Sequence, residues 1–237
     1  MLNWSAEAVL TPKRRRGFEH LDDPAVSDTL RDRSMRDVRI SNLLLGGRRA
    51  VVAEVLRALP MLGASPTLLD VGTGLGDIPA MVAASARAQR TEVRTCGFDG
   101  SPALASSARR ALDDATCGDA RALPFATASF DVVTCSQLLH HFTDDEVASV
   151  LKELHRVARR VVIVSDLRRS WIAAAGFWTV TWPLGFHAVT RHDGTTSVLR
   201  GFTDAELGEH VRKAVGSAPS IRRHPGFRLT ATWVPAQ

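Results

Sequence analysis

The sequence has too few cysteines to form a disulfide framework or a cysteine-bound metal site. Its 237 residues include three cysteines, Cys96, Cys117 and Cys135, and no C-x-x-C pair. This pattern excludes the common zinc sites, and because each cysteine falls in or beside an apolar stretch, buried free thiols are predicted. No cluster of Asp, Glu and Asn indicates a magnesium site either. We therefore expect no metal.

Long uncharged runs are also absent, with one exception. The N-terminal stretch has no apolar signal core and leads into a basic cluster at 13–16, so a cytoplasmic protein is expected. The exception is residues 170–190, which contain no Asp, Glu, Lys or Arg. Its 21 residues include Pro183 and His187, which make it a poor membrane span. We predict a cap over a site, with at most peripheral membrane contact. The recurring aromatic residues of this run are Trp171, Phe177, Trp178, Trp182 and Phe186.

The positive charge is not concentrated in one segment. The formal net charge is +5, but residues 1–40 hold eight basic and seven acidic side chains. The remaining excess is scattered, mostly after residue 150. A nucleic-acid site usually needs a clustered basic face, so no nucleic-acid partner is predicted.

A glycine-rich turn between an apolar strand and a small-residue helix is the most informative stretch. Residues 68–79 run Leu-Leu-Asp-Val-Gly-Thr-Gly-Leu-Gly-Asp-Ile-Pro. Glycines tolerate positive φ and let the backbone approach a ligand, and the helix start offers free N–H groups. A strand, a tight loop and a helix in this order favour a nucleotide-like ligand over an ordinary turn.

The spacing of the glycines limits which nucleotide-like ligand is expected. Dinucleotide sites use G-x-G-x-x-G, whereas this loop is G-x-G-x-G with Asp77 where the third dinucleotide glycine would stand. No Lys-Ser/Thr pair follows, so a phosphate loop is excluded. A carboxylate at the helix start would repel a pyrophosphate. The ligand is therefore expected to lack phosphate.

The rest of the chain alternates between strand and helix patterns, which predicts a parallel α/β sheet. A loose arm (1–25) and two helices (25–45 and 48–62) come first, with a lid hinge at 42–47. We divide the chain into residues 1–62, an arm with lid helices, and residues 63–237, a ligand-binding domain with a cap insertion at about 167–200. The predicted strands are 67–71, 92–98, 115–117, 130–135, 160–165, 220–223 and 227–234, and the later helices are 78–90, 102–114, 144–157 and 202–215.

Ligands of open α/β sheets bind outside the carboxyl ends of the strands, and acidic residues stand at these ends. Asp99 ends the second strand, where a carboxylate can accept hydrogen bonds from ribose hydroxyls. The loop motif resembles the first motif of class I S-adenosylmethionine (SAM) methyltransferases, and residues 118–125, Gly-Asp-Ala-Arg-Ala-Leu-Pro-Phe, resemble their adenine-binding segment. SAM carries no phosphate, in agreement with the acidic loop. The resemblance implies SAM as cofactor, bound by Asp70, Gly72, Thr73, Gly74, Asp77, Asp99, Gly100, Ser101, Asp119, Ala120 and Ser136.

The matches extend over about residues 60–165 and imply a fold as well as a cofactor. Ser-Phe-Asp-Val-Val at 129–133 and Leu-His-His at 139–141 also resemble this family, most closely its ubiquinone/menaquinone-type members. The implied fold is a Rossmann-like seven-stranded, mostly parallel sheet with N-terminal helices, a helical cap after strand 5 and a closing antiparallel hairpin. The flanks at 14–22 and 191–198 resemble methyltransferases encoded beside type III polyketide synthases, which implies a phenolic lipid substrate.

Methyl transfer to a phenol needs a base near neutral pH, and histidine fits this role. His140 and His141 follow strand 4 and His192 lies in the cap, so we expect one of these three to be the base. Asp166, after strand 5, would orient it or cap the turn. The uncharged cap predicts a hydrophobic aromatic acceptor. The protein is expected to be a monomer or a homodimer.

The sequence pattern bears on three alternatives to O-methylation. A C-methyltransferase acting on a quinone-like ring would have the same fold and cofactor. Methylation of a nucleobase amino group is excluded, because Ser-Gln-Leu-Leu at 136–139 is unlike the motif required there and the chain has no tyrosine. A catalytically silent subunit that binds a partner through the aromatic cap is disfavoured by the intact glycine loop.

Overall fold

The computed structural model describes residues 10–15, 17–23 and 25–236. Its strands, in chain order, are β1 (Thr67–Val71), β2 (Arg94–Asp99), β3 (Asp114–Cys117), β4 (Phe130–Ser136), β5 (Ala158–Leu167), β6 (Ser220–His224) and β7 (Arg228–Trp233). They form one seven-stranded sheet in the order β3-β2-β1-β4-β5-β7-β6. The first five strands are parallel, and β7 runs antiparallel to both β5 and β6. The predicted mostly parallel sheet with its closing hairpin is confirmed.

Eight α-helices surround this sheet in the described part of the chain. They are α1 (Asp28–Leu44), α2 (Gly47–Ala58), α3 (Asp77–Arg87), α4 (Pro102–Ala108), α5 (Asp144–Val157), α6 (Trp171–Thr181), α7 (Ala188–Arg200) and α8 (Asp204–Val215). Thr143 and Thr203 begin α5 and α8 with reciprocal capping boxes, each using a glutamate three residues later. These caps fix where the two helices start.

The sheet is covered on both faces, which explains its Val-, Ile- and Leu-rich strands. On one face α2 and α3 contribute Val51, Val55 and Val82 to a buried cluster with β1, β4 and β5. On the other face α5 and α8 contribute side chains such as Leu151 and Leu207. Helix α2 is therefore part of the core, although the residues were predicted as a lid. The division at residue 62 stays a prediction.

Several predicted element bounds were wrong by a few residues. Strand β2 begins at Arg94 rather than at residue 92, and α4 ends at Ala108 rather than at 114. Strand β5 continues to Leu167, because pairing with β7 extends past the predicted end, and Asp166 therefore lies inside the strand. Of the three free cysteines, Cys135 is buried but Cys117 is exposed, so the prediction of buried thiols was wrong there.

The cap after β5 consists of two helices, α6 and α7, which pack against each other and against α1. Asp37 of α1 accepts hydrogen bonds from the His187 N–H and the Thr190 hydroxyl, each at 3.0 Å. Gly194 of α7 allows the close contact between the cap helices, because a Cβ at this position would overlap the ring of Phe177. The uncharged run at 170–190 thus spans α6, a turn and the start of α7.

The described part of the N-terminal arm lies along α7. Arg15 N–H donates to the Leu199 carbonyl at 3.2 Å, and Arg169 Nε donates to the Pro12 carbonyl at 2.7 Å. The Asp193 carboxylate accepts the backbone N–H groups of His20 and Leu21. The expectation of a loose arm is therefore wrong for these residues. Residues 1–9, 16 and 24 of the predicted arm lie outside the described residues.

No helix in the described ranges has both the length and the apolar character needed to cross a membrane.

Candidate active site

A cavity of about 510 Å³ opens at the carboxyl ends of the parallel strands. Its floor contains the loop after β1 and the turn after β4, and its walls come from the arm, α1, α6 and α7. A second cavity of about 390 Å³ adjoins it and shares Gly72, Asp99 and Leu138 with it. Together the two cavities border the carboxyl ends of strands β1 to β5.

The glycine loop after β1 needs glycine for two different reasons. Gly72, Gly74 and Gly76 all have positive φ, at 78°, 55° and 75°. A Cβ at Gly72 would lie 3.0 Å from the Leu138 side chain, whereas a Cβ at Gly74 would meet nothing within 4 Å. The backbone at Gly74 therefore borders open space in the cavity, where a ligand can approach it closely.

Asp99 connects the glycine loop with the end of β2. Its Oδ2 accepts the Gly74 N–H at 2.8 Å, and its Oδ1 accepts the Ser101 N–H at 2.9 Å. Burial raises the pKa of Asp99 above its ordinary value, and the backbone hydrogen bonds oppose this shift. A carboxylate has about four acceptor positions, so the two oxygens still have room for ligand hydroxyls.

Asp70 and Asp77, the two acidic residues that flank the glycines, have different surroundings. Asp70 is fully buried under the loop, where its Oδ1 accepts the Thr134 hydroxyl at 2.6 Å. Burial raises its pKa to about 7. Asp77 begins α3 and lines the larger cavity, and its Oδ2 forms an ion pair with Arg48 Nε at 2.6 Å. Of these two residues, only Asp77 lines a cavity.

Asp119 lines the smaller cavity but is bound to an arginine that the sequence analysis did not consider. Arg121 Nη2 donates to Asp119 Oδ2 at 2.8 Å, and its Nε lies 3.0 Å from both carboxylate oxygens. These contacts lower the pKa of Asp119. Gly100 and Ala120 line the same cavity. Asp119 and Arg121 are two positions apart in the sequence, and this short spacing could have indicated the ion pair.

The remaining predicted cofactor residues divide between the cavity and the scaffold. Thr73 and Ser136 line the larger cavity, and both are buried. Ser101 lines neither cavity, because its hydroxyl caps α4 by accepting the Leu104 N–H. The structure thus brings nine of the eleven predicted cofactor residues to the two cavities and leaves Asp70 and Ser101 outside.

His140 and His141 follow β4 on a short 3₁₀ turn, and both line the larger cavity. The buried Asp166 holds His140, with 2.6 Å between its Oδ1 and His140 Nδ1 and 3.2 Å between its Oδ2 and the His140 backbone N–H. Burial alone would raise the pKa of Asp166, but the charge and hydrogen bond of His140 bring it below its ordinary value. Asp166 thus stays ionised and fixes the imidazole orientation.

His141 lies next to a glutamate from the N-terminal arm. Its Nδ1 is 3.8 Å from Glu19 Oε2, and the imidazole rings of His140 and His141 are 4.3 Å apart. Glu19 is buried and also binds Arg200 and Ser197 of α7. One carboxylate oxygen of Glu19 and one ring nitrogen each of His140 and His141 all lie within 4.8 Å of one another. Glu19 lies in the 14–22 segment that resembles related methyltransferases, but 120 residues separate it from His140, so the sequence did not place it in the site.

His192 is the third predicted base, and it lies outside the cavity lining. Its side chain is about half exposed and stands beside His20, with its Nδ1 3.0 Å from Asp193 Oδ1. Asp193 reaches the cavity wall from the same helix. The geometry therefore separates His192 from His140 and His141.

Three polar residues on the cavity floor form a chain that the sequence analysis did not assign to the site. Gln137 Nε2 donates to Asn42 Oδ1 at 2.6 Å, and Arg228 Nη1 donates to Gln137 Oε1 at 2.6 Å. All three line the larger cavity. They come from α1, the turn after β4 and the start of β7, so no local pattern relates them.

Comparison with known proteins agrees with this geometry. Residues 69–164 match the family described as "Methyltransferase domain". Demethylmenaquinone methyltransferase of Chlorobaculum parvum is 34% identical over 113 residues, which is 47% of this chain and 44% of the relative. The corresponding protein of Thermotoga maritima is 31% identical over 115 residues, or 48% and 45% of the two chains. The matched region spans less than half the length of these relatives.

Solved structures share the fold over most of the chain. Magnesium protoporphyrin IX methyltransferase of Synechocystis, with bound S-adenosylhomocysteine (SAH), superposes with a TM-score of 0.55 at 16% identity, covering 90% of each chain. A TehB-like SAM-dependent methyltransferase of Corynebacterium glutamicum gives 0.56 at 14% identity, covering 90% of this chain and all of the other. The predicted class I methyltransferase fold and the resemblance to menaquinone-type enzymes are confirmed.

Proposed function

We propose that this protein is a SAM-dependent methyltransferase that methylates an oxygen of a hydrophobic phenolic or polyketide molecule, with a histidine as general base. The observation that carries the proposal is the shared cavity. The glycine loop and Asp99 border one part of it, and the buried His140–Asp166 pair borders another under a cap of apolar helices.

The donor part of the cavity fits SAM. Gly74 leaves open space against the loop backbone, and the carboxylate of Asp99 stands at the end of β2 for the ribose hydroxyls. Gly100, Asp119 and Ala120 border the adjoining cavity, which we assign to the adenine. Acidic residues at this edge suit a ligand without phosphate. When bound, SAM supplies an activated methyl group.

The acceptor part of the cavity has apolar walls, which favour a hydrophobic molecule. Ile172, Ala173, Phe177 and Val180 of α6 line it, together with Leu21 of the arm. A hydrophobic acceptor held here gains binding energy from burial, and its hydroxyl group can be oriented toward the floor of the cavity. Most of the rate enhancement would come from this positioning, because the methyl group is already activated.

We assign the base to His140. Asp166 accepts a hydrogen bond from the Nδ1–H of His140, which leaves Nε2 as the basic nitrogen for a phenol proton. A buried, ionised partner also stabilises the imidazolium that forms after proton transfer. His141 with Glu19 is the second choice because the distance of 3.8 Å between them fixes its ring less firmly.

A second candidate function is methylation of a carbon on a quinone-like ring. The names of the matched relatives, demethylmenaquinone methyltransferases, favour it. A quinone-like ring is also flat and apolar and would fit under the same cap. The two functions differ in the atom that receives the methyl group. A catalytically silent subunit would differ from both, because calorimetry would detect no SAM binding.

One experiment tests these assignments. The purified protein is incubated with methyl-labelled SAM and a panel of alkylresorcinols, alkylpyrones and naphthoquinones, and mass spectrometry locates the new methyl group. We expect label on a phenolic oxygen, and His140→Gln should lower kcat by about 10²- to 10⁴-fold while SAH affinity is kept. Label on a ring carbon would favour the second candidate. Parallel His141→Gln and His192→Gln variants complete the test, because a comparable loss confined to either would move the base there.

A further inference from the structure

Arg228 is a buried guanidinium group at the edge of the acceptor cavity. It is the first residue of β7, pairs with Leu167 of β5, and is 2% exposed. It also lines the cavity. Charged side chains are rarely buried this deeply unless a partner compensates them, so its surroundings indicate what it binds.

Its partners in the described chain are neutral. Arg228 Nη1 donates to the side-chain oxygen of Gln137 at 2.6 Å, and its Nε is 3.4 Å from the Leu45 carbonyl. No carboxylate among the described residues forms an ion pair with it. Asp166 is the nearby acid, but its oxygens accept hydrogen bonds from His140 and from the Leu167 N–H. The positive charge is therefore compensated only from a distance.

The guanidinium is held in place from both sides. Gln137, its main partner, is anchored by the Asn42 side chain and by a backbone hydrogen bond to Ser165 at 2.8 Å. Gln137 has a φ of 54°, a conformation that costs energy in a non-glycine residue and that often occurs at functional sites. Burial lowers the pKa of Arg228 to about 10, so the group is still charged at neutral pH.

Arg228 belongs to the acceptor part of the cavity because of its place in the sheet. The glycine loop follows β1, and Asp99 ends β2, whereas β7 lies three strands away from β1. This separation is about 14 Å at the usual strand spacing. In contrast, the strand that carries Asp166, the partner of the proposed base, pairs directly with β7.

We propose that Arg228 binds a carboxylate of the methyl acceptor, while the hydroxyl group to be methylated faces His140. The planar fork of a guanidinium matches the two oxygens of a carboxylate. This proposal rests on the proposed function and narrows it to phenols that carry a carboxylate. The amino-acid carboxylate of SAM is the other source of the same chemistry, and the test separates the two.

The test compares ligands that differ in charge, and it does not require turnover. Calorimetry on the SAH-saturated protein measures binding of 2,4-dihydroxy-6-pentylbenzoate and of the neutral 5-pentylresorcinol. We expect the carboxylate ligand to bind about tenfold or more tightly than the neutral one, as for a hydrogen bond to a charged group. Arg228→Met should abolish this preference and Arg228→Lys should restore part of it. The exposed Arg110→Met variant is the matched control and should keep it.

The remaining outcomes overturn either the proposal for Arg228 or the proposed function. Equal binding of charged and neutral ligands to the wild-type protein would overturn it, as would a preference that survives in Arg228→Met. A lower affinity of Arg228→Met for SAH, with no loss for 5′-methylthioadenosine, which lacks the carboxylate, would assign Arg228 to the donor instead. Failure of the wild-type protein to bind SAH would refute the proposed function, and the same ligand series in cofactor-free protein would still test Arg228.

Discussion

At the scale of single residues, Asp70 lies in surroundings that disfavour a charged carboxylate. It is 1% exposed, and burial raises its pKa to about 7, although the Thr134 hydroxyl donates a hydrogen bond to it. An unfolded aspartate ionises near pH 3.9. The folded protein therefore holds this proton across a pH range in which the unfolded chain has released it.

This difference makes stability depend on pH with a definite sign. Between about pH 4 and 7 the folded state binds more protons at Asp70 than the unfolded state, so the free energy of unfolding falls as pH rises. Asp70→Asn removes the ionisation. From pH 5 to pH 8 the wild-type protein should lose about 2–3 kcal/mol relative to this variant, measured by urea unfolding at each pH.

Asp113 provides the control for this measurement. The backbone N–H of Thr95 donates to it and lowers its pKa, so its stabilising effect is complete above the unfolded value and is lost only at lower pH. The difference between wild type and Asp113→Asn should stay constant from pH 5 to pH 8. A constant difference for Asp70→Asn as well would contradict the assignment of the shift to Asp70.

At this scale, sequence reasoning located cavity-lining residues where a residue belongs to a short pattern. The glycines, Asp99 and the pair His140–His141 follow predicted strands, and strand ends meet at one edge of a parallel sheet. Glu19 and Arg228 carry no such pattern. They reach the cavity through the path of the arm and through an antiparallel strand, and neither path is encoded near the residue itself.

At the scale of elements, the cap depends on a close approach of two helices. The Gly194 backbone of α7 contacts the Phe177 ring of α6, where even a methyl group would overlap the ring. The sequence predicted an uncharged cap from its composition, but it did not indicate two helices. A turn that includes Gly185, with a φ of 67°, separates the two helices. Hydrophobic periodicity alone did not predict this turn.

Gly194→Ala should therefore destabilise the cap, although alanine has the higher helix propensity. We expect a loss of about 1–3 kcal/mol from overpacking, measured by urea unfolding. Gly176→Ala on α6 is the matched control, because a Cβ there meets nothing within 4 Å. It should gain up to about 1 kcal/mol from propensity. If both variants gain stability, the helices do not require the close approach.

At the scale of the whole molecule, the outer face of the cap exposes large apolar side chains next to arginines. Trp178 and Trp182 are 44% and 57% exposed, and the Arg191 guanidinium lies 4.1 Å from the centre of the Trp182 ring. Tryptophan with nearby cations is typical of surfaces that rest at a membrane interface. We propose that this face makes a peripheral membrane contact, which is the most that the sequence predicted for the cap.

Vesicle co-sedimentation tests this contact. The wild-type protein should sediment with vesicles containing anionic lipid, and the double variant Trp178→Gln/Trp182→Gln should bind about tenfold more weakly, because burial of apolar surface drives the binding. Met61→Gln removes an equally exposed apolar side chain outside the cap and should change little. If the double tryptophan variant sediments with vesicles to the same extent as Met61→Gln, the contact lies elsewhere or is absent.

The fold as a whole followed from the alternation of strands and helices, and the errors were concentrated where tertiary contacts decide. Pairing with β7 lengthened β5 and put Asp166 inside the strand. Helix α2, predicted as a lid, packs under the sheet through Val51 and Val55. An amphipathic pattern shows that one face of a helix is buried, but it does not say against which partner.

The walls of the cavity come from different regions of the chain, and this has an evolutionary consequence. The glycine loop, Asp99 and Asp119 lie within residues 69–164, the region that matches the methyltransferase domain family. Much of the acceptor wall lies in the segments before and after it, from Leu21 to α6 and β7. Under the proposed function, substitutions or insertions in these flanks would change which molecules are accepted without altering the donor site, so substrate preference and cofactor binding can evolve separately.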